Sequence, residues 1–240
     1  MTIDQWQYKP AKDIDLAPTS RWKSERREPG LLEWLTHHTA CTAGWCYFKA
    51  WHRLRIEGTH HVPRDTPFVV VANHSSHLDA LVLATCMPSR VRGSVFPIAA
   101  GDVFFETPHV SAFAAAAINA LPMWRKKVGR HALEELKGRL HSGDCGYILF
   151  PEGARTRDGA PMTWKPGIGM LVAGTRIPVV PCRIWGAFES LPAGKRVPRP
   201  RSMHVRMGAP LVFDTVEDSR EGWTSIAAQL RDAVLSMDKA

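Results

Sequence analysis

The 240-residue chain has no uninterrupted run of eighteen apolar residues, which argues against a membrane-spanning helix. Its first thirty residues, Met1 to Gly30, are polar with acids interspersed and have no apolar core region, so no secretory signal is expected. The five cysteines (Cys41, Cys46, Cys86, Cys145, Cys182) are odd in number and form no Cys-x-x-Cys spacing. That points away from a disulfide frame or a zinc site and toward reduced thiols in a cytosol-facing protein. No Gly-x-Ser-x-Gly pentapeptide occurs, so a serine hydrolase would lack its nucleophile elbow. Ser75 and Ser76 fit helix capping better, and Cys86 falls in an apolar segment that gives a thiol nucleophile no support. The formal charge is +8, yet no nucleic-acid-binding motif accompanies it. A basic surface of this kind suits an anionic membrane or anionic small molecules. Internal repeats and low-complexity tracts are also lacking.

What is present begins with an apolar run, Phe68 to Ala72, that reads as a short buried strand. It ends at Asn73-His74. A helical segment follows from Leu78 to Met87 and is stopped by Pro88. Ser76 and Asp79 have the spacing of a capping box, which places Asp79 in the first turn, facing back toward the loop that carries His74. A carboxylate there can accept one imidazole N–H and fix the tautomer. The other ring nitrogen is then free to take a proton from a hydroxyl. On an unbroken helix the two residues would stand roughly 140° apart, so the pairing needs the strand-loop-helix break. The alternative is two unconnected side chains, the common fate of histidines in a chain that has 11 of them.

A second apolar strand, Gly146 to Phe150, runs into Pro151-Glu152-Gly153-Ala154-Arg155-Thr156, where Pro151 and Gly153 mark a turn. Glu152 and Arg155 are expected where strand ends open a crevice in an α/β sheet. Arg155 can grip a phosphate bidentately, with Arg157 and Lys165 adding positive charge. The plainer reading is a solvated loop with a surface ion pair.

Together, Asn73-His74-Ser75-Ser76-His77-Leu78-Asp79 and Phe150-Pro151-Glu152-Gly153-Ala154-Arg155-Thr156 resemble the first and third motifs of the lysophosphatidic acid (1-acyl-glycerol-3-phosphate) acyltransferases, within the glycerolipid acyltransferase superfamily. Lys165-Pro166-Gly167 and the proline-broken Ile177-Pro178-Val179-Val180-Pro181 resemble later family elements, and the likeness runs from about residue 56 to 210 in the right order. Two departures stand out. The candidate second motif, Leu121-Pro122-Met123-Trp124-Arg125, lacks an acid before its arginine. Ala154 replaces the commoner threonine, so the acceptor could differ from lysophosphatidic acid. The resemblance implies that His74, held by Asp79, deprotonates a lysolipid hydroxyl, which attacks the thioester of acyl-CoA or acyl-carrier protein. It also implies that Glu152, Gly153, Arg155, Arg125, Lys165 and Ser76 contact the substrate. It implies no metal and no cofactor. Another lysolipid acceptor, such as a lysophosphatidylethanolamine or lyso-ornithine lipid, remains open, as do a thioesterase and a non-catalytic lipid-binding protein.

The rest of the chain reads as one α/β domain, a mixed sheet flanked by helices, over residues 56–240. Helical spacing recurs at Val128 to Leu140, Ile168 to Thr175 and Trp223 to Met237. Strands are expected at Val179–Ile184 and His204–Met207, and a basic loop at Pro192 to Pro200. Val110 to Met123, rich in Ala, is expected to form a buried helix or two short ones around Asn119. Residues 1–30 read as a polar, flexible or peripheral tail. Residues 31–55 carry Leu31, Leu32, Trp34, Leu35, Trp45, Tyr47, Phe48 and Trp51 among His, Lys and Arg. That composition fits a helix lying in the headgroup region of a membrane, or one packed on the domain's own core. The expected location is peripheral, on the cytoplasmic face of a membrane.

Overall fold

A computed structural model describes residues 11–24, 26–100, 107–123 and 130–239. Seven strands form one sheet in the order β1-β7-β6-β2-β5-β3-β4. They are β1 (Arg55–Glu57), β2 (Phe68–Ala72), β3 (Val95–Ala100), β4 (Leu121–Met123), β5 (Gly146–Leu149), β6 (Val179–Trp185) and β7 (His204–Met207). All neighbours run parallel except β6 and β7. β2 lies at the centre, between β5 and β6, and all five of its residues are buried. A strand covered on both faces needs a continuous apolar run, and Phe68-Val69-Val70-Val71-Ala72 supplies it.

The strand's period of two divides the core. Phe68, Val70 and Ala72 face one layer, built from α2 (Leu31–Trp51) and α3 (Leu78–Cys86), with Phe48, Val82 and Leu83 against them. Val69 and Val71 face the other, built from α6 (Arg130–His141), α7 (Gly167–Val172) and α9 (Arg220–Leu235), with Leu136, Leu171 and Ile226 in the same cluster. The short helices α1 (Pro18–Arg21), α4 (Ser89–Arg92), α5 (Pro108–Ala112) and α8 (Ala187–Ser190) complete the order. The mixed α/β sheet flanked by helices is the expected fold class.

One local expectation changes. The stretch after Asn119 is strand β4, not a second helix. Asn119 takes a left-handed backbone conformation (φ 58°) that ends the preceding π turn, and Pro122, which cannot donate a ladder bond, is tolerated because β4 is the edge strand. The start expected for α6 at Val128 lies outside the described residues. Asp13 and Arg27 are buried, and Arg27 donates to the Asn119 side chain at 2.7 Å and to Glu33 at 3.3 Å. Burial pulls its guanidinium down to about 10, against the pull of Glu33, so it stays charged.

Helix α2 has a buried side and an exposed side. His37, Cys41 and Phe48 are buried, and Gly44 lets α2 approach α3 so closely that a Cβ there would stand 2.8 Å from Thr85 Cγ2. Leu31, Leu32, Trp34, Leu35, Trp45, Tyr47 and Trp51 are exposed, Leu31 by 80 %. The helix therefore packs on the core and also presents an uncovered apolar surface. Among the described residues no helix is long and apolar enough to cross a membrane.

Candidate active site

The site forms beyond the C-terminal ends of β2 and β5, where parallel strands of an open sheet deliver their loops to one crevice. His74 follows β2 by two residues, and its ring is only partly exposed. Its Nδ1 lies 2.9 Å from Asp79 Oδ2. The same oxygen accepts the backbone N–H groups of Ser75 (2.6 Å) and Ser76 (2.7 Å). Asp79 is fully buried at the start of α3. One carboxylate oxygen thus gathers three donors and fixes the imidazole with Nδ1 as its proton-bearing nitrogen. Nε2 is left for other work.

The capping box is half realised. Asp79 reaches back to the Ser76 N–H, but the Ser76 hydroxyl accepts the N–H of Leu78 (3.2 Å) rather than that of Asp79. It donates in turn to the Leu191 carbonyl at 2.8 Å. Ser76 is completely buried and lines neither cavity of the site, and its hydroxyl braces two loops.

The second loop locks onto the first. The Glu152 carboxylate accepts the His74 backbone N–H at 3.2 Å, and the Thr156 N–H donates to the His74 carbonyl at 3.0 Å. Phe150 stacks on the His74 ring with centroids 4.3 Å apart. Asn73 accepts the Ile184 N–H (2.8 Å) and donates to the Ile184 carbonyl (3.0 Å), tying the loop to β6. Burial pushes the Glu152 carboxyl up to about 7, with Asp79 adding to the rise and the His74 amide opposing it. Gly153 turns the chain at φ +70°, and Lys165 crosses over it so closely that a Cβ there would meet Nζ at 2.6 Å. Arg155 follows, with burial lowering its pKa and Asp79 opposing. Its Nη1 is buried and has no hydrogen-bond partner.

Two cavities meet at His74. The larger, about 330 Å³, is lined by Pro97, Ile98, Ala114, Ile118 and Ala120 and by the polar side chains of His74, His77, Arg155 and Arg157. The smaller, about 130 Å³, is lined by Asn73, Glu152, Thr156 and Arg183 among others. Of the expected residues, His74, Gly153 and Arg155 therefore share the larger cavity, Asp79 stands behind His74, and Glu152 faces the smaller one. Arg125 lies outside the described residues. The sequence reading passed over Asn73, Phe150 and Thr156 as supports for His74. All three are inside the quoted motifs, but their partners are remote in the chain. It also passed over His77, whose pKa is lowered by burial and then by Arg155. The thiols offer no rival nucleophile beside α3, since burial pushes Cys86 up to about 12. Among the described residues no cluster of His, Cys, Asp and Glu could hold a metal ion.

Comparison with known proteins bears on the family and the fold. The family model described as Acyltransferase matches residues 53–185. A 1-acyl-sn-glycerol-3-phosphate acyltransferase alpha from Mus musculus is 27% identical over 192 residues, 77% of this chain and 63% of that protein. Its Homo sapiens counterpart is 30% identical over 129 residues, 54% of this chain and 44% of that protein. The chloroplastic 1-acyl-sn-glycerol-3-phosphate acyltransferase LPAT1 of Arabidopsis thaliana is 30% identical over 146 residues, covering 60% and 39%. The chain thus spans less than two thirds of the length of each of these relatives. The crystal structure of the 1-acyl-sn-glycerophosphate (LPA) acyltransferase PlsC from Thermotoga maritima superposes with a TM-score of 0.65 over 85% of this chain and 81% of that one, at 23% identity, a likeness of fold. With more than half of its length, including both loops of the site, inside the family match, this chain belongs to the acyltransferase family.

Proposed function

We propose that the protein transfers a fatty acyl group from a thioester donor, acyl-CoA or acyl-carrier protein, to the free hydroxyl of a 1-acylglycerol-3-phosphate, giving phosphatidic acid at a membrane surface. One observation carries this reading. The His74–Asp79 pair adjoins a cavity lined by apolar side chains and by Arg155, whose Nη1 is buried without a hydrogen-bond partner. Hydrocarbon fits the walls, and phosphate fits Arg155, with Arg157 and Lys165 adding charge.

In this mechanism His74 Nε2 takes the hydroxyl proton as the alkoxide oxygen bonds to the thioester carbonyl carbon. The C–S bond then breaks, and the departing thiolate takes the proton back from the imidazolium. Asp79 holds the ring through Nδ1 in that interval. The substrate supplies the nucleophile, so none is needed from the protein. General-base catalysis of this kind contributes about 10²–10⁴-fold, and alignment in the cavity contributes the rest. The acceptor resides in a bilayer, and the uncovered Leu and Trp side chains of α2 give the protein a surface that suits the interfacial region.

The test is thiol release from acyl-CoA with and without lysophosphatidic acid, for the wild type and His74→Ala. Release that requires both the acceptor and His74 is expected. Acceptor-independent release that requires His74 would make the protein a thioesterase. Release with a phosphate-free lysolipid in place of lysophosphatidic acid would move the assignment to another acceptor.

A further inference from the structure

We infer that Glu152 is a positioning residue, which sets the height of His74 through the main chain, and not a ligand of the acceptor. This rests on the acyl-transfer reading of the site. Three observations meet on it. The Glu152 carboxylate accepts the backbone N–H of His74, the residue whose ring must meet the substrate. Glu152 is buried and lines the 130 Å³ cavity, whereas Arg155 and the apolar walls belong to the 330 Å³ cavity. It also forms no ion pair with Arg155, the partner its position in the motif suggests; its Oε1 is spent on an amide from another strand's loop, and Oε2 is buried without a hydrogen-bond partner.

The geometry explains why a carboxylate stands there. His74 is held at its ring by Asp79, at its carbonyl by the Thr156 N–H and at its N–H by Glu152. Asp79 fixes ring rotation and, through the Ser75 and Ser76 N–H groups, the chain after His74, but not the N–H side of His74. The backbone bonds decide how far the whole residue extends from the end of β2. Removing the Glu152 bond frees the N–H side of that clamp, and a shift of about 1 Å at a reacting group costs about 10²-fold in rate. Glutamine carries a carbonyl oxygen of the same reach, so it can accept the same N–H.

Steady-state kinetics with acyl-CoA and lysophosphatidic acid test this on wild type, Glu152→Ala and Glu152→Gln. Glu152→Ala is expected to lower kcat about 100-fold, with the acceptor KM within about twofold. Glu152→Gln is expected to recover kcat to within about tenfold of wild type. An acceptor KM raised about tenfold or more in either variant, with kcat kept, would make Glu152 a substrate ligand and overturn the inference. Equal loss in both variants would show that the charge matters and not the bond, and would overturn it as well. If Glu152→Ala does not fold, Glu152→Gln alone separates unchanged KM from raised KM.

A second readout does not need turnover. The imidazole NMR signals of His74, assigned by their loss in His74→Ala, should move in Glu152→Ala and stay in place in Glu152→Gln. Unmoved signals in folded Glu152→Ala overturn the positioning role. Wild type that releases no thiol while its Glu152 variants move the His74 signals would fault the acyl-transfer reading instead.

Discussion

The His74 loop and helix α2 are held in opposite ways. Around His74 the backbone N–H, the carbonyl and the ring Nδ1 each have a partner, and the neighbouring Asn73 makes two more bonds to β6. Helix α2 has one side in the core, at His37, Cys41 and Phe48, and an apolar surface that is exposed among the described residues. A group that must meet a reacting atom is fixed by directional bonds from several strands. A surface that meets a fluid bilayer needs only to be apolar and exposed, because the attraction there is non-directional. Changes in the first region should act on turnover with little change in partitioning, and changes on the exposed side of the second should do the reverse.

The largest effect expected is His74→Ala, a loss of about 10²–10⁴-fold in kcat for acceptor-dependent thiol release, with sedimentation on vesicles unchanged. Substantial turnover in that variant would remove the general-base role. Next, Arg155→Ala should remove charge-assisted hydrogen bonds, worth about 1.5–3 kcal/mol, and raise KM for a phosphate-bearing acceptor by about 10- to 100-fold. Equal damage with a phosphate-free acceptor would show that Arg155 does not bind the phosphate.

Two substitutions divide helix α2. Phe48→Ala should lower stability by about 3–5 kcal/mol in denaturant unfolding, because the emptied core site collapses poorly. Trp34→Ser with Trp51→Ser should leave stability within about 0.5 kcal/mol per site and yet weaken binding to vesicles. Wild-type vesicle binding in the double variant would move the membrane contact elsewhere. These point changes are better probes than deleting residues 1–54, since that deletion also removes Phe48 and the other core residues of α2.

The smallest effect concerns pH. Glu152 rises from an ordinary 4.5 to about 7 in the folded protein, burial being the main cause. Its protonated form therefore favours folding fully below about pH 4.5, and that contribution fades as pH climbs through about 7. Glutamine does not titrate. The Tm of Glu152→Gln minus that of wild type should grow between pH 4.5 and 7 and then level off. A difference that stays flat across that window would mean the carboxyl is not so perturbed.

Where chemistry is coded within a few neighbouring residues, the sequence can be read directly. The run Phe68–Ala72 and the breakers around it located β2 and α3, and their junction placed Asp79 beside His74. Glu152 looked like a partner for Arg155 because the two are close in the chain. Its actual partner is 78 residues away, brought near by the pairing of β2 with β5. The same holds for Ser76 and Leu191, 115 residues apart. The strand at Leu121–Met123 was hidden because its apolar residues continue an Ala-rich helical stretch, and only the left-handed turn at Asn119 separates them. Charge pairs and braces set by strand order leave no local periodicity to detect.

The buried arginine ahead of α2 bears on where this enzyme begins. Arg27 fills the space behind Asn119, the residue that bends the chain between two residues lining the larger cavity, Ile118 and Ala120. A chain shortened to start at Leu31 would keep α2, the sheet and both motifs, and still lose the guanidinium to which the Asn119 oxygen bonds. Shortening of that kind is expected to loosen the pocket's far wall before it disturbs His74, and so to blur the choice of hydrocarbon chain before it slows transfer.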